Sequence, residues 1–397
     1  MHAVTMAIER TAKEGFKLMK MGLLPAAARE FQGALAKNPQ DASALLGMAR
    51  LHLAQQEADK ARPLLEKLLA LDPEHPEARG FLARLKAEGE KDEGALDELR
   101  ALAKNPEAGF IEFYNLGHAL LLLPGKEAEA AQAFVQALKV APKNPHATTY
   151  LGVAVWKQGQ LPQALKCFKY AATLAPRESL PLQLASKVLV QLGQVGKAQL
   201  ALQKALQRAP QKPELHEDFI KLCIFANKPK LALKSVIDFR QLDPKNPNGP
   251  YLQGLVMLLS GNLSEARRTF REAVALAPQA WEPKLGLARA LLIGEQKEVA
   301  EALKLLEEAV ALAPTEPGPS NELAVHYLAR PETTAKAKEL LARVLAAHPD
   351  EPGANLNMGL ALVKTDKAAA AGHAHKALKS TDPAVREQAE RLLKLVS

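Results

Sequence analysis

The sequence predicts an all-α protein, an elongated solenoid of about eleven helix–turn–helix repeats closed by a C-terminal capping helix. Three observations predict it. Prolines fall at Pro39, Pro73, Pro106, Pro142, Pro176, Pro210, Pro244, Pro278, Pro314, Pro349 and Pro383, and every interval lies between 33 and 36 residues. Alanines recur in step with them, at Ala130, Ala164, Ala198, Ala232 and Ala266, 34 residues apart. Gly125, Gly159, Gly193 and Gly261 mark a turn inside each period, with Asn227 in the missing place. Both residue types tolerate the positive φ that a tight helix C-cap requires. A fixed period of this length is the mark of stacked supersecondary units, none of which can bury its apolar face alone.

The elements follow in order. Residues 1–7 read as a short leader. Repeat one spans about 8–41, with Gly15, Ala27, Phe31, Ala34 and Pro39 in register. Repeat two, 42–75, has helical apolar spacing at Leu45, Met48, Ala49 and Leu53, and Asp41 suits its N-cap. Repeat three, 76–108, is the poorest match: Gly94 stands where Ala is expected and Glu98 where Phe is expected. Repeat four, 109–144, restores the pattern with Leu116, Gly117, Ala130, Phe134 and Ala137, and an extra residue near Pro124 should widen its inner turn. Repeats five to eight (145–178, 179–212, 213–246, 247–280) form the regular block. Repeat nine, 281–316, carries two extra residues after Gly294, and repeats ten and eleven cover 317–351 and 352–383. In residues 384–397, Val385, Ala389, Leu392, Leu393 and Val396 form one apolar stripe, with Arg386, Glu387, Glu390, Arg391 and Lys394 on the other side. An open solenoid end needs such a polar cap.

The spacing carries a packing rule. Small residues at the Gly152, Ala164 and Ala171 positions let helix axes approach, Phe168 fills the space between them, and Pro176 stops the second helix. Hydrophobic residues make up 48% of the chain but aromatics only 5%, which suits thin helical layers filled by Ala and Leu. The two cysteines, Cys167 and Cys223, lie in different repeats, as free thiols of a reducing compartment would. No apolar run approaches the ~18 residues of a membrane helix. The N-terminal stretch carries Glu9, Arg10, Lys13 and Glu14 where a secretory signal would be apolar, so the chain reads as soluble and cytoplasmic. The net charge of +8 is uneven: residues 145–246 hold 15 Lys/Arg against 6 Asp/Glu. Some face of these central repeats is expected to be positive.

The repeat resembles the tetratricopeptide repeat. That family's W-x2-L-G-x2-Y, A-x3-F and P pattern appears as Thr148-x2-Leu151-Gly152-x2-Val155, then Ala164-x3-Phe168, then Pro176. The resemblance covers about residues 8–396. It implies a right-handed superhelix whose first helices line a concave groove that takes extended peptides or partner helices. The groove positions carry over to Arg50, His118, Lys187, Lys221 and Arg289, to Tyr114 and Tyr251, and to Trp156. Basic donors interleaved with aromatics suit a protein partner bearing an acidic segment with apolar anchors. Ordinary solvated helix residues are the other reading of the same set. Some members of the family grip acidic tails with a Lys/Asn/Asn/Lys/Arg clamp. Asn115 fills one such slot, but His146 and Tyr150 stand where Lys and Arg are wanted, so no clamp is expected.

Chemistry is sparse. The chain has no HExxH, no CxxC and no phosphate-binding loop, and Leu123-Pro124-Gly125-Lys126 lacks the residues that such a loop needs. His373 and His375 are two apart on a helix and so point to different faces. No metal, no cofactor and no catalytic residue is expected. The leading expectation is a non-catalytic scaffold or adaptor for protein partners. The alternative, from a different class, is a nucleic-acid-binding helical repeat protein using the basic stretch 143–212.

Overall fold

A computed structural model of the chain describes residues 12–89, 92–293 and 298–396. Every regular element in it is helical, and no strand occurs among the described residues. The leader, and the extra residues expected after Gly294, lie outside the described residues.

The chain forms two compact units, Met1–Ala209 and Pro210–Ser397. The first contains six helix pairs. They are α1 (12–20) with α2 (Leu24–Lys37), α3 (Ala42–Ala54) with α4 (Ala58–Leu71), and α5 (Pro76–Gly89) with α6 (Glu93–Lys104). Then come α7 (Phe110–Leu121) with α8 (Glu127–Val140), α9 (Pro145–Lys157) with α10 (Leu161–Leu174), and α11 (Leu180–Gln191) with α12 (Val195–Arg208). The second unit contains α13 (Pro213–Phe225) with α14 (Pro229–Leu242), α15 (Asn248–Leu259) with α16 (Leu263–Leu276), and α17 (Trp281–Leu292) with α18 (Val299–Leu312). It continues with α19 (Pro317–Leu328) and α20 (Thr334–Ala347), α21 (Pro352–Leu362) and α22 (Lys367–Ala377), and ends on α23 (Pro383–Val396).

The periodic prolines explain where second helices stop. A proline's ring excludes the helical conformation from the residue before it. Ala141, Ala175, Ala209 and Ala277 each precede one, and each leaves the helix at ψ between 68 and 78°. Their amides still bond to the carbonyl four residues back, so the last turn closes before the chain swings away. Inside the pairs, Gly125, Gly159, Gly193 and Gly261 adopt φ of 71–78°, and Asn227 follows at 52°. The α7–α8 turn, residues 122–126, is two residues longer than 158–160 between α9 and α10. Asp41 caps α3 by accepting from the Ala44 amide at 2.9 Å.

Packing follows the small-residue slots. Phe31, Phe134, Phe168, Phe239 and Phe270 on second helices are wholly buried. A Cβ on Gly152 would stand 2.7 Å from the Phe168 ring, and one on Gly117 2.9 Å from Phe134, so glycine at these positions is a steric requirement. Glu98, in the aromatic slot of repeat three, instead accepts from Arg79 Nε at 2.9 Å. Each second helix packs on its own first helix and on the next first helix of its unit. Successive first helices also touch, α5 with α7 and α7 with α9 in one unit, α13 through α21 in the other. Among the described residues, none of the well-packed pairs joins two successive second helices. Within each unit the first helices therefore make the tighter, inner layer. At the end, α23 lays Ala389 and Leu392 against Leu356, Ala374 and Ala377, with Val385, Leu393 and Val396 at the margin.

Candidate partner-binding surface

On the inner layer of the first unit, a basic residue recurs at 34-residue steps: Arg50 on α3, Arg84 on α5 and His118 on α7. Arg50 pairs with Glu77 at 2.8 Å, and its guanidinium lies over the rings of Phe16 and Phe81, at 5.7 and 5.9 Å. Arg84, only 9% exposed, also lies over the Phe81 ring, at 5.7 Å. Its Nη1 donates to Asn115 Oδ1 at 3.3 Å, and its Nε stands 3.4 Å from Glu88. His118 donates from Nδ1 to the same Glu88 carboxylate at 2.7 Å. Burial alone would raise the Glu88 pKa. The His118 hydrogen bond and the Arg84 charge outweigh it and hold the carboxyl below its ordinary 4.5.

Aromatic rings fill in beside these basic residues. Tyr114 stacks on Phe110 at 5.3 Å and meets Tyr150 edge-on at 5.9 Å, and His118 meets Tyr150 at 4.8 Å. Desolvation raises the Tyr114 phenol well above its ordinary value and also raises that of Tyr150, so both remain neutral donors. On α9, Trp156 crosses Phe168 at a right angle and donates from Nε1 to Gln191 on α11 at 2.6 Å. Lys187 of α11 is exposed. In the second unit, Lys221 pairs with Glu217 at 2.7 Å, and Asn248 donates to that carboxylate at 3.1 Å. Tyr251 packs on Phe270 at 6.1 Å, and Arg289 pairs with Glu322 at 3.2 Å.

Arg50, Tyr114 and His118 thus fall into one continuous network of the first unit, while Trp156 and Lys187 sit further along it. Lys221, Tyr251 and Arg289 belong to the second unit. Sequence reasoning missed Arg84 and the carboxylates Glu77 and Glu88. Arg84 was findable, because it stands 34 residues from both Arg50 and His118. Asn115 is fully buried and turned toward Arg84, so it serves packing between α5 and α7. Elsewhere, His373 bonds to Asn355 at 2.8 Å, both cysteines are free, and burial raises the Cys167 thiol away from the reactive thiolate form. Among the described residues no group of three or more His, Cys, Asp or Glu is placed to hold a metal, and no helix is long and apolar enough to cross a membrane.

Two family models described as tetratricopeptide repeat match the chain, one over residues 18–85 and 52–108, the other over 125–179 and 251–317, together more than half of its length. No curated protein sequence matches it. Among solved structures, yeast Tom70 is similar at 14% identity, covering 99% of this chain and 96% of its own, with a TM-score of 0.53. A tetratricopeptide repeat protein from Parabacteroides merdae is 18% identical over 72% of this chain and 98% of its own, with a TM-score of 0.48. YrrB, described as a TPR protein with an unusual peptide-binding site, is 20% identical over 49% of this chain and 97% of its own, with a TM-score of 0.42. The likeness to Tom70 concerns the fold alone. With helix pairs, slot residues and family models in agreement, the chain belongs to the tetratricopeptide-repeat family.

Proposed function

We propose that the chain is a non-catalytic adaptor that holds an acidic segment of a protein partner, extended or helical, along its inner layer of first helices. A tetratricopeptide-repeat array is a protein-interaction scaffold, and the finer reading rests on one observation. The ladder of Arg50, Arg84 and His118, with Phe81, Tyr114 and Tyr150 between its rungs, sets basic side chains and rings at a regular step, and Arg50 is its partly exposed cation. Its carboxylates do not close it to a partner. A guanidinium carries five N–H donors, and Arg50 and Glu77 each keep part of their side chain open to solvent, 25 and 30%. An incoming carboxylate can therefore share Arg50, while apolar anchors rest on the neighbouring rings. Trp156 and Lys187 extend the candidate contacts along the first helices of the first unit, and Lys221, Tyr251 and Arg289 are the candidate contacts of the second unit, taken by itself. Two free thiols fit work in a reducing, cytoplasmic setting.

Peptide display panned against the full chain tests this. Enriched sequences should combine Asp or Glu with aliphatic or aromatic anchors. Binding should weaken with salt and fall about tenfold in a Lys187→Glu variant whose melt is unchanged. Enrichment of basic or uncharged sequences, or full binding by that variant at low salt, would overturn the reading.

A further inference from the structure

The outer layer of second helices changes character along the first unit. At α6 and α8 a cation on one second helix is answered by a carboxylate on the next: Arg100 makes two bonds to Glu129, at 2.8 and 3.0 Å. The second unit repeats the device, with Arg240 of α14 on Glu272 of α16, and Arg271 of α16 on Glu301 of α18 at 3.1 Å. On α10 and α12 it disappears. Neither helix contains an Asp or Glu. The slot held by Glu129 on α8 and Glu265 on α16 is Gln163 on α10 and Lys197 on α12, at the same 34-residue step.

Lys166 and Lys169 of α10 and Lys197 and Lys204 of α12 are all exposed, and Lys139 of α8 joins them. The one bond among them is from Lys197 to Gln194, a neutral partner, at 2.9 Å. Arg208, the other cation of α12, is committed elsewhere, donating to the carbonyls of Ala172 and Glu178. The one acid between α10 and α12 in sequence, Glu178, faces His146 at 3.5 Å. Between the lysines protrude single apolar side chains: Tyr170 at 47% exposure and Leu200 at 58%.

We propose that this outer face of α10 and α12 docks the chain peripherally on a membrane surface rich in anionic lipid headgroups. Four features point to that occupant. Neither α10 nor α12 carries a carboxylate, and no ion pair to Lys166, Lys169, Lys197 or Lys204 occurs among the described residues. They project outward from the wider-spaced layer, where side chains meet a flat, extended surface more readily than they enclose a peptide. Lysine is a compact, strongly hydrated point charge suited to a diffuse headgroup layer, and its stem reaches along the interface. Tyr170 and Leu200 supply the isolated amphipathic and apolar contacts that interfacial surfaces carry. A nucleic-acid partner would favour free arginines and several stacking rings, whereas the one arginine of these helices, Arg208, is bonded to backbone carbonyls and Tyr170 is their one exposed ring. The face lies on the layer opposite the proposed peptide site, so both can be occupied together.

The test is sedimentation of the full chain with phosphatidylcholine vesicles, with and without phosphatidylserine, at low and high salt. Binding should require phosphatidylserine and vanish as salt shortens the screening length. Each lysine near such a surface raises the partition coefficient about fivefold. Lys169→Gln with Lys204→Gln should therefore lower it about 25-fold with an unchanged melt, whereas Lys187→Gln on the inner layer should leave it unchanged. Absence of phosphatidylserine-dependent binding, or equal binding by the double variant, would overturn the proposal. Binding to duplex DNA that this double variant weakens, without vesicle binding, would overturn it in favour of a nucleic-acid face.

Discussion

Replacing Phe270 tests the packing rule of the whole array. Its ring is fully buried between two glycines, Gly254 of its own first helix and Gly286 of the next; a Cβ at either would stand 2.6 Å from the ring. Phe270→Ala removes ~150–200 Å² of buried apolar surface, about 4–5 kcal/mol at ~25 cal/mol per Å². That agrees with the ~3–5 kcal/mol usual for burying and then deleting a phenyl ring. The upper end is expected here, because neither glycine has a side chain that can collapse into the hole. Gly286→Ala makes the opposite error and should cost about 1–3 kcal/mol through overpacking. The pair Phe270→Leu with Gly286→Ala should cost less than the two single changes added together, since each relieves the other. Each repeat touches only its neighbours, so the loss should be confined to α15–α18. Urea melts give the total, and peptide-resolved hydrogen exchange gives the location. Wild-type behaviour of Gly286→Ala, or a loss of protection spread evenly along the chain, would refute the reasoning.

Three further outcomes follow from other elements. Asn227 holds φ of 52°, so Asn227→Gly should be near neutral or stabilising and Asn227→Val should cost about 1–2 kcal/mol in a urea melt; equal melts would mean the turn does not need that conformation. Removing residues 384–397 uncovers Leu356 and Ala374, and light scattering should then show association, with early loss of protection in α21 and α22; a monomer with the parent melt would show that α23 is not a cap. The Glu88 carboxyl is held below 4.5, so its contribution is complete above that value and is lost as pH falls through the lower folded one. Glu88→Gln should cost about 1–3 kcal/mol at neutral pH and flatten the acid limb of the stability curve, and an unchanged acid limb would argue against the His118–Glu88–Arg84 arrangement.

The 34-residue rule was enough to place Phe168 against Gly152, to stop α10 ahead of Pro176, and to find Asn227 standing in for a turn glycine. These features depend on register, and register is written in the spacing of small, aromatic and proline residues. Gln56, at φ 62°, escaped because glutamine carries no preference for that conformation. The cross-helix pairs Arg50–Glu77 and His118–Glu88 escaped for another reason. Periodicity assigns a side chain to a face of its own helix, but which residue it meets depends on how far the neighbouring helix has turned and slid. The basic surplus of residues 145–246 was visible as a sum. The register already placed Lys187 on a first helix, but the exposure of Lys166, Lys169, Lys197 and Lys204 together on the second helices α10 and α12 needed the structure. Arg84 was lost with its repeat: Gly94 and Glu98 made that stretch look irregular, although its first helix keeps the register.

The claim that a protein segment binds the inner layer is tested most directly by site-placed photo-crosslinking. A benzophenone side chain is introduced at Lys187, exposed on α11, and in a second protein at Lys204, exposed on α12. Each is irradiated with an acidic peptide recovered by display. The account predicts a crosslink from position 187 that excess unlabelled peptide abolishes, and none from position 204. A crosslink from 204 and not from 187 would move the binding surface to the outer layer and contradict the account.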